Sequence, residues 1–344
     1  MDETLQHAIH WLGRVEHQND GTHLFHSASG LECQFQGTSI ALTASIFLRF
    51  PNQAGYFHFE IDGIARIISF FEGVHTQTFT VEPGLHHFKM VKLNEAMDVH
   101  FVMKNLTVDG MVVPLKRNPR KLLQVVGASN TTGYGSLGSL AEPKSTANSN
   151  VMEAFSVKLA NLLDYDIEIV GASGYGITRG YNTDGVNLNQ TIPALYERYG
   201  IDVDNIIHDN QPDYPHPVHP ELIVLNVGSN DYHSANYQSL PPSEVNHLSD
   251  LFVHQYLHFL QRLETLHPQA QIIVIYGMMN EGNLIVESFH FIKNQLNQHP
   301  NIHVLAVSPA GKFDPFGSDY HPNHQTHDRI AHEEIGRASC RERV

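Results

Sequence analysis

Apolar and polar residues alternate in short runs through the first third of the chain. The runs are Leu31–Phe35, Ser39–Leu42, Ser45–Phe50, Tyr56–Ile61, Ala65–Phe71, Gln77–Val81, Leu85–Lys92 and Met97–Leu106. Period-two alternation puts one set of side chains on one face of a strand and the rest on the other. Turn-forming residues punctuate the runs at Pro51-Asn-Gln, Asp62-Gly63 and Glu82-Pro-Gly84. Many short strands at this spacing predict a β-sandwich of the jelly-roll kind over residues 1–117. The segment Val112–Arg120 carries two prolines and a basic cluster, and is expected to be a linker.

The rhythm changes at residue 120. Strand-like runs at Leu122–Val126, Asp166–Val170, Leu222–Val227, Gln271–Tyr276 and His303–Val307 alternate with stretches of helical period. Helical spacing is clearest at Val151, Phe155, Leu159, Leu162 and Leu163, at Leu248, Leu251, Phe252, Tyr256, Phe259 and Leu263, and through Ile285–Leu296. Five strands alternating with helices predict a parallel sheet in a three-layer α/β/α domain over residues 118–334. The last ten residues, 335–344, break with what precedes them. They are similar to a read-through translation of a common sequencing adapter, so they are set aside as a non-native tail, Cys340 included.

In an open parallel sheet the carboxyl ends of the strands share one edge, and ligands bind there. The first strand stops at Gly127 and delivers Ser129 into the following turn. The second ends in Gly171-Ala-Ser-Gly174, the third in Gly228-Ser-Asn230-Asp231, and the fifth is followed by Gly317-Ser-Asp-Tyr-His321-Pro. That edge would gather a serine, an imidazole, backbone amides and an asparagine amide. A serine hydroxyl attacks only when a base takes its proton. Ser129 is therefore the candidate nucleophile and His321 the candidate base, with the N–H groups of Ser129 and Gly174 and the Asn230 amide as donors to an oxyanion. Asp319 can orient the imidazole as the acid of a triad does; a backbone carbonyl can do the same work. Tyr232 and Tyr320 flank these positions and offer aromatic faces to a substrate. Structural roles compete at each point: Ser129 and Asn130 as helix caps, Asn230 in an Asx turn, the tyrosines as packing.

Charge and composition narrow the field. With 36 acidic against 21 basic residues the net charge is −15, which disfavours a nucleic-acid partner. Two cysteines, Cys33 and Cys340, provide no disulfide framework. No apolar run is long enough to cross a bilayer. Met1-Asp-Glu-Thr-Leu lacks the basic start and apolar core of a secretory signal, so the protein is expected to be either intracellular or represented after processing. His216 and His219 lie near Asp209 and Asp213 in the proline-rich stretch 177–220. They raise a minor metal reading against the expectation of a substrate-facing or exposed loop.

Four blocks then carry a family resemblance. Gly127-Ala-Ser129-Asn-Thr, Gly174, Gly228-Ser-Asn230-Asp and Asp319-Tyr-His321-Pro stand in the order of the SGNH (GDSL-type) hydrolases. The stretches through Gly135 and from Ser173 to Tyr181 resemble, more narrowly, carbohydrate esterase family 2, as do Arg14, Leu24–Gly30 and Gln34–Gly37. The resemblance implies a jelly roll joined to an SGNH domain and removal of O-acetyl groups from carbohydrates such as acetylated xylan or glucomannan. It also implies no cofactor or metal, and a Ser–His pair that some members support with a main-chain carbonyl. Two departures stand out: Ala128 where the family has Asp, and Ser318 where the superfamily places its acid. The alternatives are a GDSL lipase or acyltransferase acting on another ester, and a sugar-binding protein weakened in catalysis.

Overall fold

A computed structural model describes residues 7–335, apart from 182–185, 187, 208–210, 234–239, 280–282 and 298. Two sheets organise the chain. The first is antiparallel and contains β1 (His10–Leu12), β2 (Val15–Gln18), β3 (Gly21–Leu24), β4 (Gly30–Leu48), β5 (Gly55–Ile61), β6 (Ile64–Phe70), β7 (Gly73–Lys92), β8 (Val99–Val108) and β9 (Met111–Val113). Its main order is β2-β3-β8-β4-β7-β5-β6. Alternation along these strands sends Phe35, Phe57, Phe59, Phe88 and Phe101 into one core. Each ring so buried contributes roughly 1.5–3 kcal/mol.

Two expectations about this sheet are corrected. The runs 31–35, 39–42 and 45–50 are one strand, β4, and the runs 77–81 and 85–92 are one strand, β7. They pair with each other antiparallel, with β5 and β6 between them in the chain, and the Glu82-Pro-Gly84 signal marks a shift of register. Gly37 lies opposite Gly84, but Ser39 lies opposite Thr80, so extra residues of β7 face Thr38. Pro83 sits where the ladder is interrupted and no N–H is required. The expected linker also begins too early, because Val112 and Val113 pair with Phe35 and Gln34.

The second sheet is wholly parallel: β10 (Leu122–Gly127), β11 (Asp166–Gly171), β12 (Leu222–Asn226), β13 (Gln271–Tyr276) and β14 (Ile302–Ala306), in the order β11-β10-β12-β13-β14. Helices cover both faces, as near-continuous apolar strands require. Val126, Leu225, Ile272 and Val274 face a cluster with residues of α5 (Pro242–Leu266) and α6 (Asn283–Gln295). Val125, Val224, Ile273 and Ile275 face a cluster with Phe155, Leu159 and Ala160 of α2 (Phe155–Leu163). Short helices α1 (Ser129–Thr132), α3 (Ile192–Tyr196), α4 (Ser229–Tyr232) and α7 (His324–Arg329) sit at strand ends and connections. No described helix is long and apolar enough to cross a membrane.

The strand order reverses around β10, with β11 on one side and β12 on the other. Such a switch point leaves a crevice outside the strand ends, because the two connections depart in opposite directions. The sheets also interlock. Arg14, at the start of β2, is buried against the parallel sheet; its Nη1 donates to the carbonyls of Tyr196 and Arg198 at 2.7 Å each, and its Nε to Glu168 at 3.3 Å. Buried Lys92 donates to the carbonyls of Phe25 at 2.6 Å and Asn94 at 2.9 Å.

Candidate active site

Ser129 lies at the switch point, the first residue of α1. Gly127 ends β10 so close to the Asn226 carbonyl and the Thr131 hydroxyl that a side chain there would collide with both. The chain can therefore turn at once, and Ser129 emerges at the rim with its hydroxyl on the imidazole of His321. The Oγ–Nε2 distance is 2.9 Å, across 192 positions of sequence. Ala128 precedes the helix and supplies no side-chain cap.

The other nitrogen of His321, Nδ1, stands 3.0 Å from the main-chain carbonyl of Asp319. Donation from Nδ1 to this oxygen leaves Nε2 as an acceptor for the serine proton, the tautomer a base requires. The Asp319 carboxylate points elsewhere. Its Oδ2 accepts from the Tyr134 hydroxyl at 2.9 Å and the Lys144 N–H at 3.3 Å. Of the two orienting groups considered, the carbonyl is the one in contact with the ring. The cause is local: Asp319 and Tyr320 both adopt left-handed backbone, with φ of 50° and 63°. Two consecutive residues in that region cost about 1–3 kcal/mol each, and they turn the carbonyl back onto the ring. The loop is held by Ser318 N–H to the Gly135 carbonyl at 3.1 Å and Gly317 N–H to the His321 carbonyl at 2.8 Å. Burial lowers the pKa of His321 below 6.5, and the Asp319 carbonyl partly offsets that. The imidazole is accordingly neutral at neutral pH.

Gly174 follows β11 with φ of +82°, a conformation that favours glycine. Its carbonyl accepts the Tyr181 N–H at 2.7 Å. Asn230, in α4 after β12, donates one N–H of its amide to the Tyr175 carbonyl at 2.8 Å; an amide nitrogen carries a second. The neighbouring Asp231 is buried, and its carboxylate accepts from Ile177 N–H at 2.8 Å, Thr178 N–H at 2.7 Å and the Thr178 hydroxyl at 2.8 Å. Arg179 Nε donates to the Asp231 carbonyl at 2.7 Å. Asn230 and Asp231 thus grip the loop that carries Gly174.

The two tyrosines diverge. Tyr232 packs edge-on against Phe252, and its hydroxyl is 2.7 Å from that of Ser288, which ties it to the wall formed by α5 and α6. Tyr320 is 62% exposed beside His321, with its ring edge against Phe316. His216 and His219 have separate partners: His216 meets Glu197 at 3.3 Å and His219 meets His267 at 3.4 Å. Asp213 pairs with Arg198, and Asp209 lies outside the described residues. Among the described residues no group of three or more metal-binding side chains is placed to hold an ion.

Sequence reasoning missed three residues. Tyr134 stacks on the His321 ring, centroids 4.1 Å apart. The Lys144 ammonium stands 5.1 Å from the Tyr134 ring centroid and pairs with Glu95 at 3.2 Å and with Asp98. Glu95, from the antiparallel part of the chain, accepts the Ser173 N–H at 2.9 Å. Tyr134 lay within a quoted motif; Glu95 and Lys144 carried no sequence signal.

No protein-family model matches the chain. It is 25% identical over 299 residues to an acetylxylan esterase / glucomannan deacetylase of Cellvibrio japonicus, a match spanning 85% of this chain and 78% of that protein. Among solved structures it resembles a family two carbohydrate esterase from Clostridium thermocellum in complex with cellohexaose. That similarity has a TM-score of 0.80 at 20% identity, covering 97% of this chain and 98% of the other. It also resembles a carbohydrate esterase family 2 enzyme from Corynascus thermopiles (Myceliophthora fergusii), with a TM-score of 0.81, 22% identity, and coverage of 97% and 99%.

Proposed function

We propose, for a chain that shares the fold and ancestry of the SGNH (GDSL-type) carbohydrate esterases of family 2, that it is a serine esterase removing O-acetyl groups from carbohydrates. The observation that carries the reading is the 2.9 Å contact between Ser129 Oγ and His321 Nε2 at the switch point of the parallel sheet. The substrate class, acetylated xylan or glucomannan-like sugars, follows from the similarity to the Cellvibrio japonicus enzyme.

Ser129 Oγ attacks the acetyl carbonyl carbon while His321 Nε2 takes its proton. The oxyanion is met by the N–H groups of Ser129 and Gly174 and the second amide N–H of Asn230. Collapse expels the sugar oxygen, which receives the proton from His321. Water, deprotonated by the same imidazole, then cleaves the acetyl-enzyme to acetate and restores Ser129. Asp319 acts through its carbonyl, which fixes the tautomer and leaves the arrangement a Ser–His dyad. Tyr320 is the better placed of the two tyrosines to meet a sugar ring.

In the same reading, residues 1–117 form a jelly-roll accessory domain, residues 118–334 the three-layer hydrolase domain, and 335–344 a non-native tail. The test is hydrolysis of 4-nitrophenyl acetate by the wild type and by Ser129→Ala. Equal rates would remove Ser129 from the mechanism. Release of acetate from acetylated xylan and glucomannan, with long-chain esters spared, separates a sugar deacetylase from a lipase.

A further inference from the structure

The segment Leu93–Asp98, between β7 and β8 of the antiparallel sheet, runs beneath the candidate site. Asn94 binds one neighbouring loop: its Nδ2 donates to the carbonyls of Thr146 at 2.9 Å and Ser149 at 3.0 Å. Glu95 binds that same loop and one other. Its Oε2 accepts the Ser173 N–H at 2.9 Å, one residue before Gly174, and its Oε1 lies 3.2 Å from Lys144 Nζ. Lys144 in turn supports the imidazole from two sides, with its ammonium at the Tyr134 ring and its N–H on the Asp319 carboxylate. Glu95 and Asp98 are each 2% exposed. Resting on the esterase reading above, we infer that Glu95 is a positioning residue for the reaction: one carboxylate of the antiparallel sheet sets both the oxyanion loop, through Ser173, and the base, through Lys144, Tyr134 and Asp319.

The group at this point is both buried and charged. Burial alone would raise the Glu95 pKa, and the Lys144 ammonium with the Ser173 N–H outweighs it, so the carboxyl is held below its usual range. Asp98, raised by burial and by Glu95, completes the pairing of Lys144. An ion pair of this kind transmits position because Glu95 is sealed from water and Lys144 keeps only 13% of its side chain exposed, so the pair exchanges little with solvent. The titratable and charged groups around His321 are Asp319 and Glu95, which act on it electrostatically, Tyr134 stacked on its ring, Lys144 at the Tyr134 ring and, behind it, His327. Glu95 raises the His321 pKa through its field.

Two variants separate reach from charge. Glu95→Gln keeps an acceptor at the same distance from Ser173 and removes the charge. Its expected effect is an acid limb of the kcat/KM profile displaced to lower pH and a kcat reduced less than in Glu95→Asp, because the amide accepts from Ser173 but turns N–H groups toward the Lys144 ammonium. Glu95→Asp keeps the charge and withdraws it by one methylene. Its expected effect is an unmoved acid limb and a kcat reduced about 10–100-fold with KM little changed, the loss that a slight misplacement of reacting groups produces. Both are assayed on 4-nitrophenyl acetate, with thermal unfolding followed in parallel. Variants that match the wild type in kcat and in acid limb, or that lose kcat equally with no displacement of the limb for Glu95→Gln, would overturn the positioning role. A variant that fails to fold is replaced by Lys144→Met, for which an unchanged kcat would do the same. An inert wild type, whose Ser129 also fails to react with a phosphonate ester, would instead sink the esterase reading and this inference with it.

Discussion

The two halves of the candidate site are held in different ways. Ser129 is positioned locally: a buried strand, a glycine with no room for a side chain, and one turn of helix fix it within three residues of the sheet. His321 lies in a loop beyond the last strand and is held by long-range contacts. Tyr134 stacks on it, the Gly135 carbonyl pins its loop, and two left-handed residues direct the Asp319 carbonyl at its ring. The contrast teaches that a nucleophile can be presented by backbone geometry alone. A base must be both placed and kept in one tautomer, which takes partners from several segments.

The contrast can be broken most directly at its two ends. Ser129→Ala and His321→Ala are each expected to lower kcat for 4-nitrophenyl acetate by about 10⁴–10⁶-fold, and the double variant no further, because the two act as a unit. Additive losses in steady-state assays would show independent roles. Asn230→Ala is expected to cost about 10²–10³-fold in kcat with KM little altered, as loss of one oxyanion donor does. A change confined to KM would move Asn230 to ground-state binding. Asp319→Asn, which keeps the carbonyl and a polar partner for Tyr134, is expected to cost less than about tenfold, against about 10⁴-fold for loss of a triad acid.

Smaller effects sharpen the picture further. Since burial lowers the His321 pKa, the neutral base persists as pH falls past 6.5. The acid limb of kcat/KM should therefore have its midpoint below 6.5, with activity lost as pH drops through it. A midpoint above 6.5 would mean that a carboxylate controls the ring. On β6, an edge strand far from this chemistry, Ile67 is 58% exposed. Ile67→Thr is expected to change unfolding free energy by no more than about 0.5 kcal/mol in denaturant titration and to leave kcat unaltered.

Much of the α/β half was legible from pattern. Leu122–Val126, with only Gln124 polar, and Ile272–Tyr276 are near-continuous apolar runs of the kind a doubly covered strand accommodates, and the glycines after them mark where the chain must turn. The antiparallel half was legible in kind and less so in extent. Alternation continues through the register shift between Gly37 and Ser39, so turn-like residues inside a long strand look like its end.

What the sequence by itself determined is the local part: a parallel sheet whose first four strands run into glycine, a serine and an asparagine in the turns that follow, and a histidine beyond the fifth strand. Each depends on residues close in the chain, where periodicity and turn chemistry act. Only the tertiary structure decided that the Asp319 carbonyl rather than its carboxylate faces His321, and that Glu95 reaches Ser173 from the other sheet. The first turns on two backbone angles, the second on a contact across 78 positions. No local pattern encodes such a contact, because the groups meet only once both sheets have packed.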